Sequence, residues 1–268
     1  MESIPVVILC GGKGFRLREL TESMPKALVP VGNIPILLHV MKIYAHQGYR
    51  RFILSLGYKG EAIKEYFMNH DWMANDFLLK MGVNKEVKHL SNNLNDFEIT
   101  FVNTGLETNT GGRIKKIEKH IDTENFMATY CDGVANIDLK ALYDHHLKMG
   151  KIATLTAVRP ITSFGFVEAE NGIAKSFREK PTLPGLVNGG FFVFSKKIFE
   201  FLDENSVLED VPLRTLTSAG QLAVFEHKDF WACMDTFKDV ERLNGIWETG
   251  YMPLGYYQFK KAPWKIWE

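Results

Sequence analysis

Val6-Val7-Ile8-Leu9-Cys10-Gly11-Gly12-Lys13-Gly14-Phe15-Arg16-Leu17 is the stretch on which the fold turns. Its first five residues form an unbroken apolar run, the pattern of a strand buried on both faces, and such strands belong to parallel sheets. The glycines that follow end the strand and let backbone N–H groups approach an anion closely. Working outward, Ile36, Leu37, Val40, Met41 and Tyr44 recur at helical spacing, with Gly48 as a stop signal. Phe52 to Leu56 reads as a second buried strand, and Ile63, Tyr66 and Phe67 share one face of a helix over 61–67. Alternating strands and helices require crossovers that cover both faces of a parallel sheet, so the spacing predicts a doubly wound, mostly parallel α/β fold.

Residues 71–97 are polar, Asn-rich and without a clear period, and are left open between a long loop and a small excursion. Strand character resumes over 99–102, a helix is expected over 111–120, and a further strand over 126–131 runs into Asp132-Gly133. A helix over 137–148 and a strand over 153–158 follow. Residues 165–194 are strand-rich, with Gly and Pro punctuation; two short helical stretches, a strand over 222–225 and a helix over 240–247 complete the pattern. No repeat or low-complexity linker is visible, so one domain is expected over 1–268.

Composition narrows the function classes. Of 268 residues 46% are hydrophobic, and 32 Lys+Arg balance 32 Asp+Glu, which excludes a disordered chain. Zero formal charge argues against a nucleic-acid binder, which needs a basic face to displace counterions. No apolar run approaches the roughly 18 residues of a membrane span, and Met1 to Pro5 lacks the basic flank of a signal peptide. A cytoplasmic location without membrane contact is therefore expected. Cys10, Cys131 and Cys233 are too sparse for a disulfide framework or a zinc site and are read as packed thiols. His145-His146 is read as part of a solvated or interface helix.

The Gly-rich turn matches neither common nucleotide motif. Leu17 stands where the dinucleotide fingerprint needs its third glycine, and GxxxxGK[ST] is absent. Another kind of phosphate cradle remains, supported by Arg16 and by Lys26, which Pro25-Lys26-Ala27-Leu28-Val29-Pro30 holds in a stiff loop.

Gly-Gly-x-Gly-x-Arg-Leu over 11–17, followed by Pro-Lys-Ala-Leu-x-Pro-Val over 25–31, is similar to the signature of the sugar-1-phosphate nucleotidyltransferases. Asn103-Thr104-Gly105 and Thr110-Gly111-Gly112-Arg113 resemble the glucose-1-phosphate cytidylyltransferase branch in particular. So do Tyr130-Cys131-Asp132-Gly133-Val134, Glu179-Lys180-Pro181, Asn188-Gly189-Gly190-Phe191-Phe192-Val193, residues 230–236 and Ala262-Pro263-Trp264-Lys265. The likeness covers nearly the whole chain. One position departs from it, Phe15, where the family usually has Thr.

The resemblance implies a Rossmann-like sheet with a smaller strand-rich sugar-binding portion. Residues 1–135 would bind nucleotide, 136–250 would bind sugar and metal, and 251–268 would form a C-terminal tail. It implies Mg²⁺-dependent transfer from CTP to α-D-glucose 1-phosphate by a homo-oligomeric enzyme, with Asp132 and Asp235 holding the metal. Arg16, Lys26, Asp132, Lys180 and Asp235 would be the catalytic set. Leu9, Gly11, Gly12, Gly14, Arg16, Lys26, Thr108, Gly112, Arg113 and Asp132 would bind nucleotide, and Glu179, Lys180, Asn188 and Gly189 the sugar phosphate.

The chemistry fits those residue types. A sugar phosphate is already an ionised nucleophile, so cationic clamps matter more than a protein base. Two carboxylates on separate segments can share one Mg²⁺. Cytosine presents an N4 donor beside two acceptors, for which Thr108 and Arg113 offer donors, although Arg113 equally suits a phosphate. Taken singly, each Asp is as compatible with a turn cap, Glu179-Lys180 with a charged turn and Asn188 with a turn residue. A different sugar phosphate, or a non-catalytic sugar-nucleotide binding homologue, are the alternative readings.

Overall fold

The computed structural model describes residues 4–83, 85–90, 96–162, 164–179, 181–182, 185–250 and 261–267. A seven-stranded sheet forms its centre: β1 (Val6–Leu9), β2 (Arg51–Leu56), β3 (Glu98–Asn103), β4 (Asn125–Tyr130), β5 (Ala153–Val158), β6 (Val187–Ser195) and β7 (Leu222–His227). The spatial order is β3-β2-β1-β4-β6-β5-β7. β1 pairs in parallel with β2 (Val6 opposite Phe52) and with β4 (Val6 opposite Met127), and β2 with β3 is parallel too. β6 alone runs against its neighbours in this sheet, antiparallel to both β4 and β5, while β5 and β7 are parallel.

Among the described residues, six helices of seven residues or more accompany the sheet: α1 (Ile36–His46), α2 (Gly60–Ala74), α3 (Thr110–Lys116), α4 (Leu139–Met149), α5 (Val211–Ser218) and α6 (Phe237–Thr249). Alternate residues of each central strand feed two separate cores, as the pleat requires. Val6, Ile8, Phe52, Leu54, Met127, Phe191 and Val193 join the α1, α4 and α6 side, with Val40, Tyr44, Leu142 and Leu243. Val7, Leu9, Ile53, Phe126, Phe192 and Phe194 join the α3 and α5 side, with Ile114, Leu213 and Leu216. Both faces of the sheet are thus covered, which is why β1, β2, β4 and β6 read as continuous apolar runs.

Residues 71–97 contain the end of α2 and then a two-stranded antiparallel ribbon, Phe77–Lys80 with Glu86–His89, whose residues are all exposed. A second exposed ribbon, Phe166–Glu170 with Ile173–Arg178, supplies part of the strand-rich segment. One expectation is corrected. His146 on α4 is buried rather than solvated, its Nδ1 2.9 Å from Thr154 Oγ1 and its Nε2 3.2 Å from Asn125 Oδ1. Cys10 and Cys131 are buried free thiols, and burial pushes the Cys10 thiol well up. The C-terminal aromatics serve the core: Trp264 is fully buried and donates to His39 Nδ1 at 3.2 Å.

Candidate active site

The C-terminal ends of β1 and β4, neighbours in the sheet, open onto a cleft of about 370 Å³. Of the residues expected to bind nucleotide, Leu9, Gly11, Gly12, Gly14, Lys26, Thr108, Arg113 and Asp132 line it. Gly112 lies behind this wall on α3, where a Cβ would come within 2.2 Å of the Glu204 carbonyl oxygen.

Lys26 enters from a single turn of 3₁₀ helix, Lys26–Leu28, started by Pro25 at φ −67°. Ala27, Val29 and Val31 are buried beside it, so the loop is anchored by its apolar residues and the lysine is aimed by default. Asp132 follows β4, and Asp235 arrives from a hundred residues away by a short antiparallel pairing. Gly133–Ala135 zips onto Trp231–Cys233 with Cys233 opposite Gly133, and the Met234 N–H donates to the Asp132 carbonyl at 3.0 Å. Immediately after Asp235, α6 begins with a reciprocal cap between Thr236 and Asp239, which fixes the chain direction.

The result is a compact charge cluster. Lys26 Nζ lies 2.5 Å from Asp132 Oδ2 and 2.8 Å from Asp235 Oδ1, and Arg16 Nη1 donates to Asp235 Oδ2 at 2.9 Å. Burial by itself would lower the Lys26 ammonium, but the two carboxylates overcome it and hold Lys26 above the ordinary lysine range. Burial likewise favours protonating Asp235, and Lys26 with Arg16 reverses that and keeps its carboxyl low. Two carboxylate oxygens that converge on one ammonium also converge on one cation position. Hard oxygen donors so placed suit Mg²⁺, so Asp132 and Asp235 fit as its ligands.

Arg113 occupies an unexpected place. It is 4% exposed and its guanidinium donates to the carbonyls of Gly11 (2.9 Å), Leu56 (3.1 Å), Gly105 (2.8 Å) and Leu106 (3.3 Å) and to Thr104 Oγ1 (2.6 Å). Its donors brace the glycine loop against β2 and the loop before α3. A Cβ on Gly11 would fall 2.1 Å from this guanidinium, which is the physical reason for glycine there. The Thr108 hydroxyl is also engaged, donating to the Thr104 carbonyl at 2.6 Å. Phe15, where the family usually carries a hydroxyl, is 74% exposed, with Lys13 Nζ 5.7 Å from its ring centre.

The expected sugar residues are placed less uniformly. Asn188 and Gly189 start β6: the Gly190 N–H donates to Asn188 Oδ1 at 2.9 Å, and Trp231 Nε1 donates to the Gly189 carbonyl at 2.8 Å. Glu179 is exposed just past the second ribbon, and Lys180 lies outside the described residues. Two residues that sequence reasoning missed stand in the cleft wall, Tyr130 and Glu209. Tyr130 sits in the Tyr-Cys-Asp motif and was legible there; Glu209 falls in a polar stretch with no motif to mark it.

A glycine-loop cleft with clamped carboxylates at its mouth is what nucleotidyl transfer needs, and the chain belongs to the nucleotidyl transferase family, whose profile matches residues 5–250. Within that family it is similar to the glucose-1-phosphate cytidylyltransferase of Salmonella typhi, with 43% identity over 266 residues covering 98% of this chain and 99% of the relative. Among solved structures it resembles in fold HddC from Yersinia pseudotuberculosis (TM-score 0.68, 24% identity, covering 90% of this chain and 98% of the other). It also resembles UDP-glucose pyrophosphorylase complexed with UDP-glucose (TM-score 0.67, 15% identity, 92% and 99% covered). Among the described residues no helix is long and apolar enough to cross a membrane.

Proposed function

We propose that the protein transfers the cytidylyl group of CTP to α-D-glucose 1-phosphate, giving CDP-glucose and pyrophosphate. The observation that carries this reading is full-length similarity to a glucose-1-phosphate cytidylyltransferase in a chain that also joins Arg16, Lys26, Asp132 and Asp235 in one ion-pair cluster, with Lys26 and Asp132 lining the cleft.

The phosphate oxygen of the sugar phosphate attacks the α-phosphorus of CTP, the bond from that phosphorus to the β-bridging oxygen breaks, and pyrophosphate leaves. No proton must be removed from the nucleophile, in keeping with a cleft that offers cations rather than a histidine base. The glycine loop receives the triphosphate against backbone, and Arg113 keeps that backbone in place from behind. Asp132 and Asp235 would hold Mg²⁺, which supplies neutralisation of charge on the phosphates. Lys26 occupies the position between the two carboxylates that a bound cation would take, so it would leave that position as Mg²⁺ enters and could then serve a phosphate. Its ammonium is therefore a mobile clamp, released from Asp132 and Asp235 as substrates bind. The sugar is assigned to the neighbourhood of Asn188, Gly189, Glu179 and Lys180.

Self-association belongs to the same proposal. An isolated two-stranded ribbon is marginal in water, yet both ribbons expose large apolar side chains, among them Val83, Leu90, Ile173 and Phe177. A homo-oligomer that covers them is the reading we adopt, and sedimentation at micromolar protein should show a species larger than 30.6 kDa.

The test of the activity is direct. Purified protein with CTP, glucose 1-phosphate and Mg²⁺ should release pyrophosphate, and omission of any one should stop it. Absence of pyrophosphate from the complete mixture, with another sugar phosphate or nucleotide giving turnover, would overturn the substrate assignment.

A further inference from the structure

Glu209 precedes α5 and enters the cleft wall with its carboxylate held by hydroxyls from two other elements. Oε1 accepts from the Tyr130 hydroxyl at the end of β4, and Oε2 accepts from Thr110 Oγ1 at the start of α3 at 2.6 Å. Thr110 Oγ1 in turn accepts from the Leu208 N–H at 3.0 Å, so its proton is committed to Glu209. On the other side of Tyr130, Asn188 Nδ2 donates to the phenol oxygen at 3.4 Å, and Asn188 Oδ1 accepts from the Gly190 N–H at 2.9 Å.

The direction of every hydrogen bond along this chain is determined by its ends. A backbone N–H can only donate, so the oxygen of the Asn188 amide must face Gly190 and its nitrogen must face Tyr130. An ionised carboxylate can only accept, so the Tyr130 proton must point to Glu209 and the phenol oxygen is left to accept from Asn188. The second N–H of Asn188 is then the group the amide can offer to a ligand. Tyr130 itself is held in place by a close approach to Gly190, at φ +81°, where a Cβ would come within 2.6 Å of the ring. Burial, reinforced by the Glu209 carboxylate, holds the phenol above the usual tyrosine range, so it does not ionise in working conditions.

We propose that Glu209 is a positioning residue of the acceptor-sugar site: by taking the Tyr130 proton it fixes the polarity of the Glu209–Tyr130–Asn188 chain, so that Asn188 presents an N–H donor to a hydroxyl of the sugar phosphate. This rests on the assignment of Asn188 to the sugar made above. The same chain physically links the nucleotide cleft, which Glu209 and Tyr130 line, to the strand that carries Asn188. Without the carboxylate the phenol proton is free to turn toward Asn188 Nδ2, which cannot accept it, so the Asn188–Tyr130 hydrogen bond is lost and the amide is held by the Gly190 N–H alone.

The experiment measures KM for each substrate separately in wild type, Glu209→Gln, Tyr130→Phe and the double variant. Glu209→Gln keeps the shape and removes the obligatory acceptor. The expected result is a roughly 3- to 10-fold rise in KM for the sugar phosphate, the scale of one neutral hydrogen bond, with KM for CTP within about twofold of wild type. Tyr130→Phe should give a similar rise, and the double variant should be no worse than either single, because all three interrupt one chain. A rise confined to KM for CTP would place Glu209 on the nucleotide and overturn the proposal, as would unchanged KM values or fully additive losses. Should Glu209→Gln fold poorly, Tyr130→Phe with Asn188→Asp, which removes the amide donor, gives the same comparison. If wild type turns over a different sugar phosphate, the substrate reading fails while the comparison, made with that sugar phosphate, still decides the role of Glu209.

Discussion

Replacing Lys26 with glutamine should make the nucleotide-free protein bind a divalent cation more tightly. In the wild type, Lys26 and Arg16 balance Asp132 and Asp235, and the ammonium sits 2.5 and 2.8 Å from oxygens that an ion bridging the pair would contact. Lys26→Gln removes one of the two positive charges and leaves the cluster at a net charge of minus one. Two unit charges about 4 Å apart interact by about 4 kcal/mol at an effective dielectric constant of about 20. The lysine can swing aside on its flexible stem, and Asp235 is 38% exposed, so solvent screens part of that energy. About 1.4 to 2.8 kcal/mol survives these discounts, a gain of roughly 10- to 100-fold in affinity. Mn²⁺ titration followed by electron paramagnetic resonance, without nucleotide, reads it. The variant should also melt lower than wild type in chelator, because the carboxylates lose their partly buried partner, and Mg²⁺ should abolish the difference. Mn²⁺ binding no tighter than wild type would refute the argument that these two carboxylates form the metal site and that Lys26 fills it.

Three further outcomes are expected. Arg113→Lys cannot reproduce a fork that meets five acceptors, and should cost roughly 2 to 4 kcal/mol in urea unfolding while raising KM for CTP; unchanged stability would deny the brace. Gly190→Ala forces a left-handed backbone and a Cβ against Tyr130, and should destabilise by about 1 to 3 kcal/mol, measured by the same unfolding curves. Burial lowers His39 from 6.5 to about 4 despite its bond to the Val31 carbonyl. The unfolded chain therefore takes up that proton first as pH falls. The stability due to neutral His39 is whole above about pH 6.5 and is lost down to about pH 4, on the order of 3 kcal/mol. Burial shifts His146 the same way, so His39→Gln should flatten part of this acid limb and not all of it.

The central strands were legible because they are buried on both faces. Val6–Leu9 and the run through Phe191–Phe194 read as core strands for that reason, and α1, with a wide buried face, read as a helix. Direction was not legible: β6 carries the same apolar run whether parallel or antiparallel, and only its pairing with β4 and β5 shows that it reverses. The first ribbon escaped because neither of its faces is buried, so no alternation is imposed on its sequence. The burial of His146 was not legible because the His145-His146 pair suits a solvated or interface helix until Thr154 and Asn125 are seen to meet His146.

In the site, motifs located the charged residues but not their relations. Lys26, Asp132 and Asp235 are each marked by a local pattern, while the pairing of Gly133–Ala135 with Trp231–Cys233 that joins the two aspartates is set by tertiary packing. Arg113 was expected at the base or a phosphate; its five acceptors come from three separate stretches of chain, which no local pattern encodes. Glu209 had no signal at all, since its meaning depends on Tyr130 and Thr110 reaching it from β4 and α3.

In the proposed reaction an oxygen of the sugar phosphate attacks the α-phosphorus of CTP and expels pyrophosphate. Glucose 1-phosphate carrying ¹⁸O in its three non-bridging oxygens, turned over with unlabelled CTP and Mg²⁺, tests it in one mass spectrum with ³¹P NMR. All three labelled oxygens should appear in CDP-glucose, one of them in the bridge between the two phosphorus atoms, with none in pyrophosphate. Label in pyrophosphate, or no CDP-glucose at all while the protein remains folded, would contradict the account.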